Sequence, residues 1–243
     1  MEPEAYRIGW QPFLGLEIWL DSRPLIPRVE TEWWAEQLLA HYAKPEPVGA
    51  ISGVRLGLAA RSAPGIAPVG GGPMRFLDLC AGSGAIGCAA LKYLPEAEVW
   101  FAELDLAHEA TIRKNIEANG LDTSRAHVAI GDLFGALPPI LTFDIIAANP
   151  PYVPAGRKLP REVVDWEPAL ALRAGPDGLG LIRRIAAALP ERLAKPGGVA
   201  WVECDAKHAE EARAAFGGAG FRAELMHDQY GRPRVVTVSW PHE

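Results

Sequence analysis

The sequence contains no run of about eighteen apolar residues, and its start, Met1-Glu2-Pro3-Glu4, has neither the basic nor the apolar segment of a secretion signal. A membrane span and an export leader are therefore not expected, and the cytoplasm is the expected compartment. Cysteine is scarce. Cys80, Cys88 and Cys204 are an odd number without a CxxC pair, which argues against both a disulfide framework and a cysteine zinc site and predicts reduced thiols. The six histidines lack metal-ligand spacing, so no metal is expected. Positive charge is not in excess either: 24 Lys and Arg stand against 30 Asp and Glu, a net charge of −6. No global basic field would hold a polyanion, and nucleic acid is not the expected partner. What is present is enough for a real core: 243 residues, 49% of them hydrophobic, suit one α/β domain with at most a small appendage and exclude intrinsic disorder.

Glycine and proline concentrate between Lys44-Pro45-Glu46-Pro47 and Gly70-Gly71-Gly72-Pro73, so residues 44–73 read as a linker. It divides a short cap, residues 1–43, from a catalytic domain over 74–243. In the cap, Phe13, Leu16, Ile18 and Leu20 suggest a strand pair, and a helix carrying Trp33, Trp34, Leu38 and Leu39 follows, with Thr31 as its N-cap. After the linker, strand and helix alternate, the signature of βαβ units on a parallel sheet. Strands are predicted near 75–79, 98–103, 127–130, 143–148 and 199–203, and helices near 85–94, 106–119, 178–193 and 209–216. Residues 149–174 form a loop, and segments near 221–227 and 234–240 close the chain as an antiparallel hairpin.

Asp78-Leu79-Cys80-Ala81-Gly82-Ser83-Gly84 lies where a strand gives way to a helix, the edge at which open α/β sheets collect ligands. Gly82, Gly84 and Gly87 also satisfy GxGxxG, which alone is a weak dinucleotide signal. Asp78 at the mouth of that loop would repel a pyrophosphate and suits a cationic ligand. S-adenosylmethionine carries a sulfonium and an ammonium and no phosphate, so its charges fit. Glu103, at the end of the second strand, can accept from both ribose hydroxyls, as it could for NAD, and Asp132 after the third strand can meet an adenine amino group. Asn149-Pro150-Pro151-Tyr152 follows the apolar fourth strand. Two prolines fix the chain and remove local donors, so the Pro150 carbonyl and the Asn149 side-chain oxygen can hold both hydrogens of a planar NH2 group beside the face of Tyr152. An amide nitrogen is a weak nucleophile, so orientation and electrostatics must supply much of the rate.

From about Tyr6 to Trp240 the chain resembles the HemK/PrmC family of protein-(glutamine-N5) methyltransferases, which modify the GGQ glutamine of class I peptide-chain release factors. The resemblance rests on residues 26–32 (Ile-Pro-Arg-Val-Glu-Thr-Glu), the 78–84 loop, Glu103, Asp132-Leu133-Phe134, Asn149 to Tyr152, residues 166–172 (Trp-Glu-Pro-Ala-Leu-Ala-Leu) and residues 175–179 (Gly-Pro-Asp-Gly-Leu). It implies a Rossmann-like class I S-adenosylmethionine-dependent methyltransferase with about seven mostly parallel strands. It further implies that Asp78, Cys80, Ala81, Gly82, Ser83, Gly84, Glu103, Asp132 and Leu133 hold the cofactor. Asn149, Pro150, Pro151 and Tyr152 would hold the glutamine, with Asn149 also near the cofactor. Val29, Cys80 and Glu103 stand where the family commonly has proline, glycine and aspartate, and only about 25 residues precede the Pro-Arg segment, where the family usually has a helical domain. The expected protein is a monomer with a release factor as substrate. The alternatives are an adenine-N6 methyltransferase acting on DNA or RNA, which shares an Asn-Pro-Pro-aromatic site but needs a basic surface and a flipped base, a non-catalytic S-adenosylmethionine-binding adaptor and, last, a dinucleotide oxidoreductase. Cys80 is not expected to act as a nucleophile, and Arg157, Lys158 and Arg161 read as a solvated loop.

Overall fold

Helix α1 (Glu4–Ile8) leads into the antiparallel pair β1 (Trp10–Phe13) and β2 (Leu16–Trp19) in the computed structural model, which describes residues 1–43 and 71–241. The two strands turn through Leu14 and Gly15, both at positive φ, the geometry a two-residue hairpin requires. Helix α2 (Val29–Tyr42) buries Trp34, Ala35, Leu38 and Leu39 on one face. It starts three residues earlier than the sequence predicts. Arg28 is the residue before its first turn, and Thr31 lies inside that turn with its hydroxyl turned to another partner, so Thr31 is not the N-cap. The Pro/Gly-rich stretch read as a linker falls, over 44–70, outside the described residues.

The rest of the described chain begins with β3 (Met74–Leu79), α3 (Ala85–Tyr93), β4 (Ala97–Glu103), α4 (Glu109–Ala118), β5 (Ala126–Ile130) and β6 (Ile145–Ala148). Two short helices follow, α5 (Arg161–Val164) and α6 (Ala169–Leu172), and then α7 (Gly180–Arg192), β7 (Val199–Glu203), α8 (Ala209–Gly218), β8 (Arg222–His227) and β9 (Pro233–Ser239). Seven strands form one sheet in the order β5-β4-β3-β6-β7-β9-β8, parallel except for β9, which runs antiparallel to both β7 and β8. This is the Rossmann-like α/β architecture expected, with its C-terminal hairpin. The segment 149–174, expected as plain loop, holds α5 and α6. The fourth strand is shorter than expected, because Phe143 makes only an isolated bridge to Leu193.

All four residues of β6 are buried, as a central parallel strand sandwiched between helix layers demands. One apolar cluster lies on the sheet face covered by the cap, α3 and α4, and the other on the face covered by α7 and α8. Gly87 shows how tight the first is: a Cβ there would lie 2.2 Å from the Phe101 ring, so the glycine serves helix-to-strand packing. The chain lays β4 and β5 on one side of β3, then crosses back to lay β6 on the other. That reversal opens a crevice between the loops after β3 and β6, the place where such sheets bind ligands. Among the described residues no helix is long and apolar enough to cross a membrane.

Candidate active site

The loop after β3 is bent by Cys80, Gly82 and Gly84, all at positive φ, and is strapped to β4 by the Cys80 and Ala81 N–H groups, which both donate to the Ala102 carbonyl at 2.9 and 3.1 Å. Glu103 continues this strap. Its Oε2 accepts the Gly82 N–H at 2.8 Å and its Oε1 the Asp105 N–H at 2.9 Å. Each oxygen keeps a lone pair for a hydroxyl donor, so the carboxylate is both oriented and available. Asn115 on α4 braces the same loop from behind, donating to the Ser83 carbonyl at 2.8 Å and exchanging two bonds with Trp19 of β2. The result is a cleft of about 510 Å³ walled by Cys80 to Ser83, Glu103, Asp132, Leu133, Asn149 and Pro151, with α6 and the start of α7 opposite.

Two residues expected at the cofactor stand elsewhere. Asp78 does not line the cleft. It is buried beneath the loop, where Oδ2 accepts the Gly87 N–H at 2.8 Å and Oδ1 has no hydrogen-bond partner among the described residues. Burial pushes its carboxyl up to about 8, against the pull of the Gly87 N–H and with a further push from Glu103. It therefore shapes the loop and does not face a ligand's charge directly. Gly84 is also turned away: a Cβ on it would meet Ile112 and Phe101 at 3.2 and 3.3 Å. Cys80 does line the wall, but burial, with Glu103, Asp78 and Asp132 nearby, raises its thiol far above the ordinary range and leaves no thiolate to attack.

The charges of the cleft suit a cation and not a pyrophosphate. Glu103, Asp105 and Asp132 are on its wall, while both of its arginines are engaged: Arg184 pairs with Asp132 at 2.6 Å, and Arg173 Nη1 donates to the carbonyls of Pro154 and Arg157, each at 2.8 Å. S-adenosylmethionine fits this donor set, with Glu103 for hydroxyls and the acidic wall for positive charge.

Asn149 and Pro151 also line a second, smaller pocket of about 160 Å³, together with Pro150, Tyr152, Leu25, Arg28 and apolar residues of the 149–174 segment. They are thus the partition between the two cavities. Asn149 Nδ2 donates to Thr31 Oγ1 at 3.1 Å, and the Tyr152 hydroxyl donates to Glu203 Oε1 at 2.9 Å. Burial and the Glu203 charge raise the Tyr152 phenol well above its usual range, so it stays neutral. The carboxyl of Glu203, itself fully buried, is raised by burial and held down in part by Trp34, Thr31, Arg234 and Tyr152. Behind the partition, Gly178 sits at φ +77 so close to the chain that a Cβ would lie 2.3 Å from the Tyr152 carbonyl oxygen. Gly178→Ala is therefore expected to lower the unfolding free energy by roughly 2 kcal/mol. Its activity loss should exceed its loss of cofactor affinity. A chemical denaturation midpoint equal to the wild type's would show that the contact does not matter.

Sequence motifs far apart meet here. Arg28 and Glu167, 139 residues apart, form an ion pair in which Arg28 Nη2 is 2.7 Å from both carboxylate oxygens, and the Glu167 side chain is 2% exposed. It ties the cap to the 149–174 segment. Arg157, expected in a solvated loop, instead pairs with Asp205 just beyond β7 and anchors that segment. Glu203, the hydrogen bond from the Trp34 indole and the role of Thr31 have no local signature in the sequence, save, for Glu203, a carboxylate ending an otherwise apolar strand.

Residues 72–165 match the family model of the methyltransferase small domain. The release factor glutamine methyltransferase of Geobacter sulfurreducens is 35% identical over 238 residues, covering 97% of this chain and 72% of that protein. The release factor glutamine methyltransferase of Bordetella pertussis is 35% identical over 222 residues, covering 91% and 71%. A crystal structure of a methyltransferase from Pyrococcus furiosus shares the fold with a TM-score of 0.53 at 18% identity, covering 70% of this chain and 77% of that one. Both relatives are 35% identical over more than nine-tenths of this chain and over 71% or more of their own length, and the chain therefore belongs to the release factor glutamine methyltransferase family and is a methyltransferase.

Proposed function

We propose that this protein methylates the side-chain amide nitrogen of a glutamine, the GGQ glutamine of a class I peptide-chain release factor, with S-adenosylmethionine as methyl donor. The observation that carries the reading is the partition: Asn149 and Pro151 belong to the walls of both the acidic cleft and the smaller pocket, so a group held by the Asn149 to Tyr152 segment faces the cofactor site directly.

When bound, S-adenosylmethionine supplies an electrophilic methyl group. The protein's own part is to hold its partners. Glu103 takes the ribose hydroxyls, and Asp132 and Leu133 border the adenine. Asn149 Oδ1 and the Pro150 carbonyl accept the two amide hydrogens, which fixes the NH2 plane and places acceptor dipoles where positive charge grows on nitrogen. A strong base is not required, because an amide proton can be lost after the transfer. Tyr152, whose proton is committed to Glu203, contributes a flat face and not a base.

The test is incubation with labelled S-adenosylmethionine and, separately, a release factor, its GGQ Gln→Ala variant, and DNA or RNA. Label is expected on the unmodified release factor alone. Equal label on the variant, or label on nucleic acid, would overturn the proposal, the latter in favour of the adenine reading.

A further inference from the structure

Glu203 lies at the end of β7, is fully buried, and faces donors from α2, from Tyr152 and, at 3.9 Å, from Arg234 Nη1 on β9. Thr31 Oγ1 and Trp34 Nε1, one turn apart on α2, reach its Oε2 at 2.7 and 2.8 Å, and the Tyr152 hydroxyl reaches Oε1 at 2.9 Å. The direction of each bond follows from valence. An indole N–H can only donate and an ionised carboxylate can only accept, so Glu203 takes hydrogens from Trp34, Thr31 and Tyr152. Thr31 has a single hydroxyl hydrogen. It goes to Oε2, and the Thr31 oxygen can then only accept from its other neighbour, which is Asn149. Asn149 must therefore turn its NH2 toward Thr31, and this leaves Oδ1 as the atom offered to the substrate.

We infer that Glu203, acting through Thr31, locks the Asn149 side-chain amide in the one orientation that accepts from a substrate NH2, and that this pair of positioning residues makes the site select glutamine over glutamate. The inference rests on the glutamine reading above. With Asn149 so held, its Oδ1 and the Pro150 carbonyl form a pair of acceptors. An amide NH2 satisfies both, whereas a carboxylate meets two oxygens with no hydrogen to offer. Were the Asn149 amide reversed, Nδ2 would welcome a carboxylate oxygen and oppose the NH2. A buried polar site left unpaired discriminates strongly, and here the discrimination depends on a hydroxyl that need not touch the substrate.

Removing Glu203 itself would strand three buried donors, so the test is made at Thr31. Thr31→Val keeps shape and removes the hydroxyl, and Thr31→Ala removes it without placing a second methyl against Glu203. Each variant is assayed for kcat and KM on release factor, for S-adenosylmethionine affinity by calorimetry, for its thermal midpoint, and for inhibition by a release factor whose GGQ glutamine is replaced by glutamate. Both are expected to lose about 10- to 30-fold in kcat, with cofactor affinity within about threefold, while the glutamate protein inhibits about tenfold more strongly than it does the wild type. Thr31→Ser restores the hydroxyl and is expected to return all three quantities to within about threefold of wild type. A wild-type protein that leaves release factor unlabelled defeats the glutamine reading and this inference with it. A wild type that labels release factor, combined with Thr31 variants whose inhibition by the glutamate protein is unchanged, defeats only the role given to Thr31 and Glu203.

Discussion

Asn149→Ala is expected to lower kcat on release factor by about 10³-fold, with the dissociation constant for S-adenosylmethionine changed by less than about tenfold. In the proposed reading Asn149 supplies one of the two acceptors that hold the amide in plane. Loss of a preorganised polar group aimed at developing charge typically costs 10²- to 10³-fold, and an amide nitrogen, with its delocalised lone pair, should lie at the upper end. The loop after β3 is untouched, because its straps are N–H bonds from Cys80 and Ala81 to the Ala102 carbonyl and from Gly82 to the Glu103 carboxylate. Single-turnover transfer with pre-bound cofactor reads the effect. Wild-type rates in that experiment would remove Asn149 from the reaction.

Glu103→Ala is expected to weaken S-adenosylmethionine binding by about 100-fold, or ~2.7 kcal/mol. Two losses add. A carboxylate that accepts hydroxyl hydrogens contributes about 1.5–3 kcal/mol through a charged hydrogen bond. The same carboxylate also holds the Gly82 and Asp105 N–H groups, so without it the loops after β3 and β4 lose the bridge between them. Glu103→Asp should cost less, about tenfold, since it keeps the charge and shortens the reach by one methylene. Calorimetric titration of both variants decides it, and an affinity for Glu103→Ala within about threefold of wild type would place the ribose elsewhere.

The cap ties the two cavities together. Its strand β2 braces the cofactor loop through Asn115, its Arg28 grips the 149–174 segment through Glu167, and its Thr31 and Trp34 close over Glu203 beside Asn149. In sequence it reads as a small appendage. In three dimensions it supplies walls to both cavities: Pro27 and Thr31 to the larger, Arg28 to the smaller, and Leu25 to both.

Local pattern carried the fold a long way. The alternation of strand and helix identifies the parallel sheet, Gly82 and Gly84 mark a turn only a permissive backbone can make, and the double proline after an apolar strand marks a rigid edge. These are properties of neighbouring residues, so a sequence displays them directly. Asp78 shows the limit. Its place beside the glycine loop suggested a carboxylate facing a ligand, yet β3 turns that side chain into the interior, where it caps the start of α3 through Gly87. Arg157 misled in the opposite sense, since a basic residue in a loop reads as solvated until Asp205, 48 positions on, is brought beside it by the end of β7.

By itself, then, the sequence determined which residues can bend, which can bury, and which chemistry the Asn149 to Tyr152 edge can offer. The tertiary structure alone decided which polar groups are paired. Thr31 and Glu203, 172 residues apart, share a hydrogen bond whose direction fixes the Asn149 amide. The reason is physical: a hydroxyl or an amide can donate or accept, and its role is settled only when the partners that fold around it have used up their own hydrogens and lone pairs.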